Sequence, residues 1–160
     1  MELPRVLGID PASKNAGLAV VEGINLLYSH QLVIPKRSTE SEALADSLKF
    51  FWEKIQEACG AWEPTLIVVE HTSYPRNLNT TKLLTYYEDM AILVAAQNKC
   101  LIERVRTKQA RKAVLGSGTF EKADIVQEMY QRYSKWLGPD EAEAVVFALY
   151  GYSLLNPESS

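Results

Sequence analysis

The stretch Leu66-Ile67-Val68-Val69-Glu70 narrows the choice of fold more than any other part of the chain. An uninterrupted apolar run closed by an acid reads as a strand covered on both faces, the pattern of a sheet layered with helices. The surrounding segments agree. Arg5–Asp10 reads as a short buried strand, Pro11–Asn15 as a turn, and Ala16–Val21 and Leu26–Ile34 as two further strands separated by Glu22-Gly23-Ile24-Asn25. The tight connections predict an antiparallel meander. After Pro35 the period changes: Thr39 and Glu42 have capping-box spacing, and Leu44, Leu48, Phe51 and Ile55 follow at helical intervals. Beyond Glu70, a polar loop over 72–79 leads to a helix carrying Leu83, Tyr87, Met90 and Val94, with Leu84, Ala91 and Ala95 beside them. Leu101–Val105 is a fifth strand and Thr107–Leu115 a short basic helix. A helix from about Phe120 turns Val126, Met129, Tyr133 and Trp136-Leu137 to one side, and Gly138-Pro139 stops it before Asp140 opens the last one. The expected fold is α/β: a five-stranded mixed sheet, three antiparallel strands then two added through helices, flanked by helices.

With 160 residues, 47% of them hydrophobic, the chain fits one domain over 1–156 with a short tail at 157–160. The composition excludes a disulfide scaffold or a disordered chain. Cys59 and Cys100 read as buried or half-buried free thiols of a reducing compartment. No apolar run nears the roughly 20 residues that span a bilayer, and no targeting peptide is visible, so a cytoplasmic or nucleoid-associated protein is expected. The net charge of −3 argues against a nucleic-acid partner only if charges are evenly spread. They are not: between Lys99 and Lys112 the basic Lys99, Arg104, Arg106, Lys108, Arg111 and Lys112 face a single acid, Glu103. Such a face can bind phosphates on an acidic protein.

Four carboxylates stand out. Asp10 and Glu70 close strands, where side chains line crevices rather than cores. Asp140 and Glu143 lie three apart at a helix start and so share a face. Gathered in one cleft they would repel each other without cations. As hard oxygen donors they suit Mg²⁺ or Mn²⁺, and two such ions can clamp the attacking and leaving oxygens of a phosphodiester. Each acid has a plainer alternative: Asp10 before Pro11 starts a turn, Glu70 closes a strand, and Asp140-x-x-Glu143 after Gly-Pro is a capping box. His71 points away from Glu70 if the strand continues, which suggests a structural role, and His30 carries no functional signal.

The residues resemble the RuvC-type Holliday junction resolvases of the RNase H-like superfamily over nearly the whole chain. The anchors are Gly8-Ile9-Asp10-Pro11 with Gly17, Ile67-Val68-Val69-Glu70, Gly116-Ser117-Gly118 with Glu121-Lys122, and Asp140-Glu141-Ala142-Glu143-Ala144. The resemblance implies an RNase H-like fold and a homodimer nicking symmetric strands of a four-way DNA junction. It implies metal ligation by Asp10, Glu70, Asp140 and Glu143, with Mg²⁺ or Mn²⁺, two per site. It also implies a reaction role for Lys122, which with the four acids completes the expected catalytic set. Arg111, Lys112, Lys108, Arg76, Tyr74 and Ser73 are the expected DNA contacts. The sequence departs from the family pattern in three places. Glu143 stands where Asp is common, Arg111 where Lys is usual, and Ser73, with Tyr74 next to it, where bacterial members place an aromatic wedge. These departures leave a phage, viral or organellar branch open, and no branch-migration motor can be deduced. The alternatives are a YqgF-type nuclease in RNA processing and a junction-binding protein without catalysis. An actin-like or sugar-kinase-like ATP fold shares Gly-Ile-Asp but normally needs two such domains.

Overall fold

Strand β1 (Arg5–Asp10) is hydrogen-bonded on both sides, and everything else is arranged around it. The computed structural model describes residues 2–11, 15–35, 40–72 and 78–157. β2 (Asn15–Glu22) and β3 (Asn25–Val33) continue antiparallel from β1, while β4 (Leu66–Glu70) and β5 (Leu101–Val105) add in parallel on its other side. The sheet order is β3-β2-β1-β4-β5. This is the mixed sheet expected from the pattern of runs.

The helices α1 (Ser41–Trp62) and α2 (Leu78–Gln97) cover one face, and α5 (Pro139–Leu155) covers the other with α3 (Thr107–Leu115) and α4 (Lys122–Tyr133) packed onto it. Because strand side chains alternate, each strand feeds two cores. Leu7, Ile9, Ile67 and Val69 meet Phe51, Ile55 and Tyr87, whereas Val6, Val68, Ala19 and Val21 meet Ala144, Val145 and Phe147. Each large apolar side chain so buried contributes roughly 1.5–3 kcal/mol. No helix among the described residues is long and apolar enough to cross a membrane. Cys59 and Cys100 are both free, one buried and one half-buried, and burial pushes the Cys59 thiol up to about 12.

Helix α5 is buried almost all round, including Ala142 through Gly151, and it lies directly on the backbones of β1 and β2. Two glycines permit that approach. A Cβ on Gly8 would stand 2.0 Å from the carbonyl oxygen of Ala144, and one on Gly17 would stand 1.9 Å from that of Asp140. No side chain fits in such gaps.

α1 begins at Ser41 with Glu40 at its N-cap; the Thr39–Glu42 box involves Thr39, which lies outside the described residues. Two local expectations are corrected. α4 ends at Tyr133, and Trp136 is 68% exposed, stacked on Tyr130 rather than turned into the core. At α5 the capping acid is Glu141, whose Oε1 accepts from the Gly138 N–H at 2.9 Å. Asp140 and Glu143 are therefore not the capping pair.

Candidate active site

Alternation along β1 and β4 turns Asp10 and Glu70 toward α5, on the same face as Val6 and Val68. The first turn of α5, seated over Gly17, brings Asp140 and Glu143 to the same end of the sheet. Asp10, Asp140 and Glu143 are 3%, 7% and 2% exposed, respectively, which is unusual for carboxylates and demands partners.

The partners are mostly cationic. Lys122, the first residue of α4, donates its ammonium to Asp140 Oδ1 and stands 3.6 Å from Asp10 Oδ2. Asp140 Oδ2 accepts from Gln31 Nε2 at 2.9 Å. Arg111 on α3 lays its guanidinium against Glu143, with Nε 3.0 Å from Oε1 and Nη2 closing the fork, while Nη1 donates to the Phe120 carbonyl at 2.5 Å. Glu70 Oε1 accepts from the Thr107 hydroxyl at 2.9 Å, at the start of α3. Asp10 Oδ2 is fully buried and has no hydrogen-bond partner.

Electrostatics follow from this crowding. Burial raises Asp10 well above the usual carboxylate range, and the charge of Glu70 raises it further, while Lys122 works the other way. Burial likewise raises Glu143 against the lowering pull of Arg111. Burial alone would lower the Lys122 ammonium, but Asp10, Asp140 and Glu143 together hold it above its ordinary value. Mutually perturbed groups of this kind mark functional sites.

The donor set suits a hard divalent cation: only carboxylate oxygens, with one orphaned buried oxygen on Asp10 that an ion would satisfy. With the side chains as placed, no three such groups among the described residues grip a common point. Lys122 stands between Asp10 and Asp140, and Arg111 takes Glu143. These two cations occupy the charge-neutralising positions that an ion would share or take over.

The expected DNA contacts divide. Lys108 and Lys112 are exposed on α3. Arg111 is turned inward, its side chain 14% exposed and its donors committed to Glu143 and Phe120, so it partners an acid instead of offering a free backbone contact. Ser73, Tyr74 and Arg76 lie outside the described residues. His71 binds Glu88 of α2 through Nδ1 at 3.0 Å, and the Thr72 N–H donates to the same buried carboxylate at 2.7 Å. Arg104 joins them at 3.1 Å, and the three donors outweigh burial to hold Glu88 below the usual range. This knot fixes the chain just past Glu70. Sequence reasoning missed Glu88, Thr107 and Gln31, which look like ordinary polar surface residues.

A sequence profile of the crossover junction endodeoxyribonuclease RuvC matches residues 6–149. The chain belongs to the RuvC family. The RuvC of Bordetella pertussis is 31% identical over 152 residues, covering 91% of this chain and 81% of that protein. The RuvC of Shewanella amazonensis is 28% identical over 141 residues, covering 87% and 79%. Among solved structures, Thermus thermophilus RuvC superposes with a TM-score of 0.76 at 18% identity over 94% of this chain and 95% of that one. The same protein in complex with Holliday junction substrate gives 0.78 at 16% identity, covering 95% of each. The fold is thus the RNase H-like fold of RuvC, and the family is one of metal-dependent endodeoxyribonucleases.

Proposed function

We propose that this protein resolves four-way DNA junctions by paired symmetric nicks, hydrolysing phosphodiesters with two divalent cations per site. The observation that carries the reading is the convergence of Asp10, Glu70, Asp140 and Glu143 at one end of the sheet, from strands β1 and β4 and one helix face, in a member of the RuvC family. These four carboxylates would hold Mg²⁺ or Mn²⁺, and the bound ions would neutralise the scissile phosphate and activate water for attack. Lys122, whose side chain is 46% exposed, would meet the phosphate oxygens once a strand enters. Arg111 orients Glu143 through its fork. Lys108 and Lys112 carry the exposed charge that a DNA backbone needs. Two copies of the chain would present two such sites to symmetric strands. Tyr86 and Leu93, 36% and 48% exposed on α2, supply apolar surface for that pairing.

The test gives the purified protein a labelled four-way junction, a linear duplex, single-stranded RNA and an RNA–DNA hybrid, each with Mg²⁺, with Mn²⁺ and with chelator. Paired symmetric nicks in the junction alone, lost with chelator, are expected. Cutting of RNA alone, or tight junction binding without nicks in either metal, would overturn the reading. Scattering should return the mass of two 18.0 kDa chains.

A further inference from the structure

Gln31 sits in the same row of the sheet as Asp10. Across the strands, Asp10 pairs with Gly17 and Gly17 pairs with Gln31, so one line crosses β1, β2 and β3. The middle position has no side chain, and the first turn of α5 fills that space with the backbone of Asp140 and Glu141. The half-buried Gln31 side chain therefore meets the helix start. Its Nε2 donates to Asp140 Oδ2 at 2.9 Å, and its Oε1 accepts from the Glu141 N–H at 2.9 Å.

We propose that Gln31 is the positioning residue of Asp140, setting the plane of that carboxylate toward Asp10. The proposal rests on the placement of Asp140 among the metal-holding acids. The chemistry suits an amide. A carboxylate can only accept and a backbone N–H can only donate, so the pair requires one side chain that does both at its tip. The Glu141 N–H lies in the first turn of α5, where no intrahelical acceptor exists, and Gln31 supplies one. With Oδ2 held by Gln31 and Oδ1 held by Lys122, both oxygens of Asp140 are fixed from opposite sides, one from the edge strand and one from α4. Groups that orient a ligand through hydrogen bonds alter metal affinity without touching the metal. Ser29, two residues earlier on the same strand face, donates to Glu141 Oε2 at 2.5 Å and does not bond Asp140. It is the natural control for a general loosening of the β3–α5 contact.

The experiment measures Mn²⁺ binding to the full chain by electron paramagnetic resonance of free Mn²⁺, without DNA, for wild type, Gln31→Met, Gln31→Asn, Ser29→Ala and Asp140→Asn. Junction nicking as a function of Mg²⁺ and thermal melting run in parallel. Gln31→Met should weaken Mn²⁺ binding roughly ten- to hundred-fold. Its nicking rate should recover at high Mg²⁺ and its junction KM should stay near wild type. Gln31→Asn keeps the amide one methylene short, so it should fall between and covers the case of a Met variant that does not fold. Ser29→Ala should melt lower yet bind Mn²⁺ like wild type. Wild-type Mn²⁺ affinity in a folded Gln31 variant, or equal weakening by Ser29→Ala, overturns the positioning role while leaving the site intact. Unchanged Mn²⁺ binding and nicking in Asp140→Asn would instead bring down the site assignment and this inference with it.

Discussion

Replacing Asp10 by Asn should make the metal-free protein more stable while abolishing its cutting. Asp10 is 3% exposed, its Oδ2 has no hydrogen-bond partner, and Glu70, Asp140 and Glu143 all push against its charge. Asn leaves a polar group in the same place, so the substitution removes only the extra cost of burying a charge rather than a neutral group, about 2–3 kcal/mol here. The opposing term is the attraction of Lys122 at 3.6 Å, a half-exposed ammonium that keeps its contact with Asp140. A screened pair of that kind is worth about 1 kcal/mol at most. The net gain from Asp10→Asn is then about 1–2 kcal/mol, a rise in Tm of about 3–6 °C for a chain of this size. The sign depends on pH. The folded pKa of Asp10 lies above its unfolded value, so the native state binds its proton more tightly. The cost of ionisation is absent below the unfolded value, about 3.9, and grows as pH rises through the folded pKa. Differential scanning calorimetry in chelator should therefore show a Tm gain that is absent near the unfolded value and grows as pH rises above it. Adding Mg²⁺ should reverse the ranking, because a ligand stabilises only the state that binds it and the wild type keeps the fourth carboxylate. A variant that melts at or below wild type at neutral pH in chelator, or whose gain persists at acid pH, would refute the reasoning.

The remaining predictions separate structure from chemistry in α5. Glu143→Gln should lower junction nicking by on the order of a thousandfold, since losing a cation ligand removes several kcal/mol of transition-state stabilisation, and it should also lower Tm, because Arg111, only 14% exposed, loses the charge it is paired with. Glu141→Ala should cost about 1 kcal/mol of stability through the lost cap while keeping nicking within a few-fold, as melting and gel assays would read. Gly17→Ala would place a Cβ 1.9 Å from the Asp140 carbonyl oxygen, so urea unfolding should show a loss of at least about 2 kcal/mol, with metal affinity falling as α5 is pushed off β2.

What could be read in advance divides along a physical line. Strands β1, β2 and β4 announced themselves because burial on both faces leaves long apolar runs, and the observed bounds of all five strands agree within a residue of the expected ones. Asp10 and Glu70 were visible because an acid at the end of such a run has no place in a core. Asp140 and Glu143 were ambiguous, since spacing of three at a helix start serves a cap and a metal equally well. Only the placement of Glu141 on the Gly138 N–H frees the other two. Arg111 read as a DNA contact because its acid lies on another helix, and nothing local to α3 reveals Glu143. Gln31 was silent for the same reason: a polar residue on an edge strand is ordinary until α5 is laid across Gly17.

That crossing also determines when the protein becomes dangerous to DNA. Asp10 and Glu70 are in place once the sheet forms, but half the acidic set arrives with residues 139–155. A chain whose α5 is not seated would leave Gly8 and Gly17 uncovered and, on the proposed assignment, would hold only half of its acidic set. Dense apolar burial makes the docking of α5 a folding event and an activation event at once. On the proposed assignment, stability and chemistry would be joined: a molecule that fails to seat α5 would lose both together.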